Sequence, residues 1–246
     1  MPDIWGRQTE KQDLPSDKLR EDIQLHLTRK LDEPHIAFSD EAGWAGRTRE
    51  PGPPVDVLVI PPEGERRFAY VCTFGSSLKK KPADAGGRME FVLAVPQRGD
   101  PQADLKLLNL AANTVRQFAK LVHIQNIRVA PGQTVQFTKN PKPVFEGANQ
   151  VGFAFMAPRL PNDGFHKLRV SEGDSVTFWA PVPICREELD AGAMHGAERL
   201  AAGLEHAGVT EMLHVDRASV ARRAHGLGRP LLAHLKDLVR PVLRRD

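Results

Sequence analysis

In LPSDKLREDIQLHLTRKL, residues 14–31, the apolar positions Leu19, Ile23, Leu27 and Leu31 recur every fourth residue behind Ser16, a residue type that caps helix N-termini. That spacing predicts an amphipathic helix. TREPGPP (48–54) breaks regular structure, because its prolines lack backbone donors and its glycine favours turns. The period then falls to two. VDVLVI (55–60), RFAYVCTF (67–74) and RMEFVLAV (88–95) are short β-rich runs separated by Pro, Gly and charged residues, and they predict adjacent strands. In the second run Phe68, Tyr70, Cys72 and Phe74 share one face and Ala69, Val71 and Thr73 the other. Neither face is charged, so this strand belongs in the interior of a sheet.

Asp100 followed by Pro101 supplies a cap and a favoured first helical residue, after which Leu105, Leu108, Ala112, Val115, Phe118 and Val122 keep helical period. This predicts a long helix lying on the sheet. Further strands are expected at 150–157, 166–170 and 175–182, with loops rich in Pro, Asn and Gly between them. The pattern predicts an α+β fold with a mixed, mostly antiparallel sheet flanked by helices.

FWAPVPICREELDAGAMHG (178–196) places a cysteine, two glutamates, an aspartate and a histidine just behind an apolar run. On a helix from about residue 186, Leu189, Ala193, Ala197, Leu200 and Leu204 form one stripe and His195 lies opposite it, toward water. Cys185 leaves from the end of the preceding strand. A Cys/His dyad needs hydrogen-bond reach, which these directions deny. His195 and Glu198 lack a third ligand at helical spacing, and HExxH is absent, so no metal site is expected. Gly192, Gly196 and Gly203 fall along one edge of the stripe, as a closely packed helix requires. Phe178 and Trp179 are expected inside the strand that precedes it.

Composition narrows the class. The 246 residues are 41% hydrophobic, enough for a sizeable core. Thirty-four Lys and Arg against 31 Asp and Glu give a net charge too small to point to nucleic acid by itself. The two cysteines, Cys72 and Cys185, make no CxxC pair and no disulfide framework, which fits a reducing cytoplasm. Neither an apolar leader nor a membrane-length apolar run is visible. Residues 216–246 hold eight Lys or Arg against three Asp, a net of +5, and divide at Gly226, Gly228 and Pro230 into two short predicted helices.

The series VDVLVIPP, FAYVCTFGSS, RMEFVLAVP, the long helix and FWAPVPICREEL resembles, in order and spacing, the suppressor of fused domain family over residues 35–208. That family's strand-end motif of Thr, any residue, Gly, Met or Leu, and Ser matches Thr73, Phe74, Gly75, Ser76 and Ser77, with Ser76 in place of the apolar residue. Its strand-exit motif matches Pro183, Ile184, Cys185, Arg186, Glu187 and Glu188, and Glu90 with Phe91 match its Glu-plus-apolar strand motif. The resemblance implies a mixed α/β domain that binds other proteins without catalysis or cofactor. With the domain at 35–208, the chain divides into three expected parts: a helical extension at 1–34, that domain, and a basic helical tail at 209–246. Bacterial members resemble immunity proteins encoded beside polymorphic toxins.

On this reading Glu90 stands at a rim between neighbouring strands with Thr73 and Ser77, and Lys79 and Lys80 of SSLKKKP (76–82) complete a partner-binding site. Each has a plain alternative: a rim carboxylate satisfied by water or an arginine, and a solvated lysine loop. The tail, with Leu231, Leu235, Leu238 and Val242 among Arg222, Arg223, Arg240, Arg244 and Arg245, either packs on the domain or meets an acidic partner, an anionic membrane or nucleic acid. It lacks the interleaved aromatics of single-strand binders. DAGGR (84–88) lacks the lysine and hydroxyl of a phosphate loop. The expected function is therefore a cytoplasmic, non-catalytic protein-binding module, an immunity or adaptor protein that occludes a partner such as a toxin. The alternatives are a hydrolase or metal enzyme assembled from scattered acids and histidines such as His123, His166 and His214, and a nucleic-acid-associated protein held by the tail.

Overall fold

The computed structural model describes residues 16–38, 53–82, 87–136, 142–161, 163–171 and 174–221. The basic tail beyond residue 221 and the DAGGR loop up to Gly86 lie outside these, as do the first fifteen residues.

Helix α1 (Ser16–Leu31) is followed by strands β1 (His35–Phe38), β2 (Asp56–Ile60), β3 (Phe68–Phe74) and β4 (Arg88–Pro96), then helix α2 (Pro101–Ile124). Strands β5 (Thr134–Val135), β6 (Gln150–Met156), β7 (Lys167–Ser171) and β8 (Asp174–Cys185) lead into helices α3 (Arg186–His195) and α4 (Ala197–His206). The eight strands form one mixed sheet in the order β1-β2-β3-β4-β8-β6-β5, with β7 on β8. All strand pairs are antiparallel except β4 with β8. The α+β architecture expected from the sequence is the one observed, and β3 lies inside the sheet.

The two-residue period sorts β4 cleanly. Met89, Phe91, Leu93 and Val95 join the core under α2, while Val92 and Ala94 join the core under α1. Strand β8 does the same over its greater length. Trp179 faces α2, Val176 and Phe178 face α1, and Ala180, Val182 and Ile184 face α3 and α4. One face of the sheet is thus covered by α2 and the other by α1 and the α3–α4 pair. Phe178 is fully buried and Trp179 nearly so. Each such ring contributes on the order of 1.5–3 kcal/mol by burial alone.

Asp100 caps α2 by accepting from the amides of Gln102 and Ala103, and Pro101 supplies the fixed first turn. In α1 the four-residue stripe of Leu19, Ile23, Leu27 and Leu31 is buried as its spacing predicts. His26 rides beside it, stacked on Phe165 and Phe178 with centroids 5.5 and 5.2 Å away, and its Nε2 meets the Phe165 carbonyl.

Two expectations change. The helix expected to run on from residue 186 is broken at Gly196, which adopts φ 90° between α3 and α4. Only Leu189, Leu200 and Leu204 of the predicted stripe are buried, and Ala193 is exposed because the chain turns there. Gly192 gains its place from that turn: a Cβ would stand 2.9 Å from Leu200 Cδ2. Secondly, residues 211–213, beyond the expected domain end at 208, bridge to the sheet. The β4–β8 register ends at Phe91 and Trp179, and farther along β4 Ala94 pairs with Met212. Ala94 donates to the Glu211 carbonyl and accepts from Leu213, at 3.0 and 2.8 Å. The buried Glu211 carboxylate accepts from the amides of Arg159 and Leu160, both at 2.8 Å, and burial raises its pKa despite them.

Candidate partner-binding site

At the exit of β3 the chain makes a short 3-10 turn at Ser76–Leu78, and its foundation is Glu90. One carboxylate oxygen accepts from Gly75 N (3.0 Å), Ser77 N (3.0 Å) and Ser77 Oγ (2.6 Å), the other from Thr73 Oγ1 (2.6 Å). Thr73 Oγ1 in turn accepts from Phe91 N at 2.7 Å. Four donors on one carboxylate satisfy a charge that burial would otherwise make costly. Gly75 is required twice, by its φ of 125° and because a Cβ would come within 2.5 Å of the Pro54 carbonyl.

The rim expected from the sequence is corrected by this geometry. Thr73, Ser77 and Glu90 are brought together as predicted, but all three are fully buried. The β3–β4 register ends at Cys72 and Val92, so Phe74 and Glu90 lie just past the paired region, and the turn folds back over the carboxylate before it reaches solvent. The three residues shape the surface from beneath it.

The surface itself is the continuation of the turn. Arg88, almost wholly buried, donates to the carbonyls of Ser77 (2.9 Å) and Leu78 (3.2 Å) and to Asp174 Oδ2 (3.0 Å). Burial would raise the Asp174 pKa, but hydrogen bonds from Arg88 and Lys80 hold it below its usual value. Lys81 turns inward, donating to the carbonyl of Val122 in the last turn of α2, where a cation also meets the favourable end of the helix dipole, and to that of Ile127 just beyond the helix. Burial lowers its pKa. Between these two inward cations Lys79 and Lys80 remain exposed, Lys80 within 3.1 Å of Asp174. The loop is thus pinned on both sides, with Lys79 and the Asp174-paired Lys80 on its exposed face. Sequence reasoning singled out the lysine run but missed Arg88, Asp174 and the inward turn of Lys81, because a charge run carries no mark of which member is buried.

The substitution of Ser76 at the motif's apolar position also has a local account. Ser76 is buried, with Oγ 3.4 Å from the Ala119 carbonyl and 3.3 Å from His123 Nε2. The same Nε2 lies 3.0 Å from the Ser76 carbonyl, which only accepts, so that nitrogen carries the proton and is no base for the hydroxyl. Burial lowers the His123 pKa, the bond to Ser76 opposes this, and Lys81 and Lys79 add to the lowering. His166 Nδ1 instead meets the Phe178 carbonyl at 2.8 Å. Among the described residues no three His, Cys, Asp or Glu side chains are placed to hold one metal ion, and no helix is long and apolar enough to cross a membrane. Cys72 and Cys185 are buried thiols, and burial pushes Cys185 up to about 11.

The cluster of acids, cysteine and histidine in FWAPVPICREELDAGAMHG, at the end of β8, resolves into a second buried carboxylate. Glu188 accepts from Cys185 N (2.8 Å), Val220 N (2.8 Å) and both terminal nitrogens of Arg217. It caps the start of α3 in a capping box with Cys185 and ties residues 217–220 to the domain. His195 is exposed, as its helical position predicts.

Comparison with known proteins follows the same architecture. The family model described as Suppressor of fused protein (SUFU) matches residues 51–218, more than half of the chain. Among solved structures, a putative SUFU homologue from Neisseria gonorrhoeae aligns with TM-score 0.51 and 18% identity over 83% of this chain and 96% of its own. A structure of the Sufu–Fu complex aligns with TM-score 0.54 and 11% identity over 93% of this chain and 98% of its own. Drosophila Suppressor of Fused aligns with TM-score 0.54 and 12% identity over 90% of this chain and 53% of its own. At these identities the structures share the fold. No curated protein matches the chain by sequence.

Proposed function

The chain belongs to the suppressor of fused family, and on that premise we propose that it is a non-catalytic protein-binding module. Its finer role on this reading is that of a bacterial immunity or adaptor protein, acting in the cytoplasm by occluding the surface of a partner such as a polymorphic toxin. The observation that carries the reading is the loop at residues 75–82, where two buried charged anchors, Glu90 and Arg88, fix the backbone and Lys79 and Lys80 point outward. A preorganised cationic loop loses little entropy on docking and favours an acidic partner through encounter rate and register. The hydroxyls, thiols and imidazole of the same region are consumed by internal hydrogen bonds or buried, which supports recognition over chemistry. The relative solved as the Sufu–Fu complex supports a protein partner, and the Neisseria relative supports a bacterial setting.

The test is co-expression of the full chain with the toxin encoded beside its gene. Restored growth together with a stoichiometric complex in size-exclusion chromatography with light scattering is the expected result, with affinity reduced at least about tenfold by Lys79→Glu combined with Lys80→Glu. Unrelieved toxicity, or no complex with the purified partner, would sink the immunity reading. A complex indifferent to both lysines would move the contact elsewhere on the domain.

A further inference from the structure

The first half of α2 borders a groove of about 470 Å³ that is remote from the lysine loop, which is anchored at the helix's other end. Its floor is apolar, formed by Leu110, Phe145 and Val215. Phe145 is buried against the main core, so the floor is part of the rigid body of the domain. Asn109 and Asn113 line it from the helix, and no hydrogen bond joins either amide to another described residue. At its rim stand Arg98, whose guanidinium pairs with no carboxylate among the described residues, and the pair of Lys106 with Glu146, long at 3.8 Å and strongly solvated on both sides, which leaves the rim one positive charge in excess. A concave apolar floor with a few uncommitted, convergent polar groups is the usual form of a recognition site.

The chemistry selects the occupant. Asn109 and Asn113 lie four residues apart on one helix face, a rise of about 6 Å. An extended chain repeats its side-chain direction every two residues, about 6.6 Å. Two carboxamides at that spacing, each with a donor and an acceptor, therefore match every second peptide group of an extended segment, those that face the same side. Side chains pointing to the floor must be apolar, and those pointing to the rim must complement its excess positive charge, carried by Arg98 with Lys106 only loosely held by Glu146.

We infer that this groove binds an extended segment of the partner protein in which apolar and acidic residues alternate. The inference rests on the protein-binding role proposed above and adds the surface and the chemistry it selects. The basic loop at Lys79 and Lys80 and this groove mark opposite ends of α2, and both favour acidic partners.

The test uses fluorescence anisotropy with the full-length protein and two fluorescein-labelled octapeptides, one alternating leucine with glutamate and one alternating leucine with lysine. The acidic peptide is expected to bind at least about tenfold more tightly than the basic one. Arg98→Glu combined with Lys106→Glu should abolish that preference, and Asn109→Ala with Asn113→Ala should weaken both peptides alike. The charge-matched pair Lys79→Glu and Lys80→Glu should leave acidic-peptide binding within about twofold. Equal affinity for the two peptides, or equal losses from the groove and loop variants, overturns the inference. So does a dimer in light scattering that the groove variant dissolves, since a second copy would then be the occupant. A native complex that survives the groove variant overturns the groove and leaves the protein-binding role standing. Absence of any complex with unaltered protein fails that role, whatever the peptides show.

Discussion

Arg217 grips Glu188 with both terminal guanidinium nitrogens, at 2.6 and 2.7 Å, across twenty-nine residues of sequence. The same guanidinium reaches the Pro183 carbonyl at 3.0 Å, so one side chain joins the end of β8, the start of α3 and the segment after α4. Burial would lower the Arg217 pKa, but Glu188 raises it, and the cation is held.

Removing one partner of such a pair strands the other charge. Arg217→Ala is expected to cost about 3–5 kcal/mol, more than the pair itself contributes relative to an apolar replacement. Equilibrium urea unfolding measures it, and a loss below about 1 kcal/mol would show that water reaches Glu188 freely once the arginine is gone.

Glu90 poses the sharper case because its partners are neutral donors. Glu90→Gln keeps the shape but replaces one acceptor oxygen with a donor facing donors already in place, at an expected cost of about 1–3 kcal/mol. Glu90→Lys buries an ammonium among N–H and O–H groups and should leave the chain largely unfolded in circular dichroism. A Glu90→Lys protein with the original melting temperature would restore this residue to the surface.

The sequence signals that proved legible were the long periodic ones. The stripe in α1, the capped start of α2 and the uncharged faces of β3 each repeat often enough to identify an element and its buried side. Strand β1, four residues behind Pro34, and strand β5, two residues long, are too short to show alternation. Gly196 was visible, but glycine inside a helical pattern does not announce whether it packs closely or turns the chain. For Glu90, sequence places the carboxylate at a strand end. Only the fold brings the amides of Gly75 and Ser77 onto it from fifteen and thirteen residues away. Composition groups the tail's arginines as one class, whereas Arg217 is committed to Glu188 by geometry that composition does not contain.

Gly75 tests whether the turn geometry is obligatory. Gly75→Ala forces a Cβ to within 2.5 Å of the Pro54 carbonyl at a φ that L residues avoid, and should destabilise by more than about 1 kcal/mol. Gly64→Ala, at φ 58° with open space around it, should cost about 1–2 kcal/mol from backbone strain alone. Denaturant midpoints for the pair separate the two contributions, and equal losses would mean that the Pro54 segment moves aside.

His123 links the same loop to pH. Its folded pKa lies below the ordinary 6.5, so the unfolded chain takes up the proton first. The stability tied to its neutral form is fully present above 6.5, is lost as pH falls from there toward the folded pKa, and is constant below it. Protonation would set a third cation beside Lys79 and Lys81, both of which already disfavour it. His26, His166 and His214 are lowered in the same direction, chiefly by burial, while the raised Glu211 acts oppositely in the window above 4.5. The melting temperature should therefore fall between pH 7.5 and 5.5. His123→Gln, whose amide nitrogen can still donate to the Ser76 carbonyl without titrating, should fall less steeply over that interval. Hydrogen exchange of the 76–81 amides locates the effect: in the unaltered protein protection should drop at the lower pH, and in His123→Gln it should hold. Parallel slopes for the two proteins would remove His123 from the loop's pH response and leave it to the other three histidines.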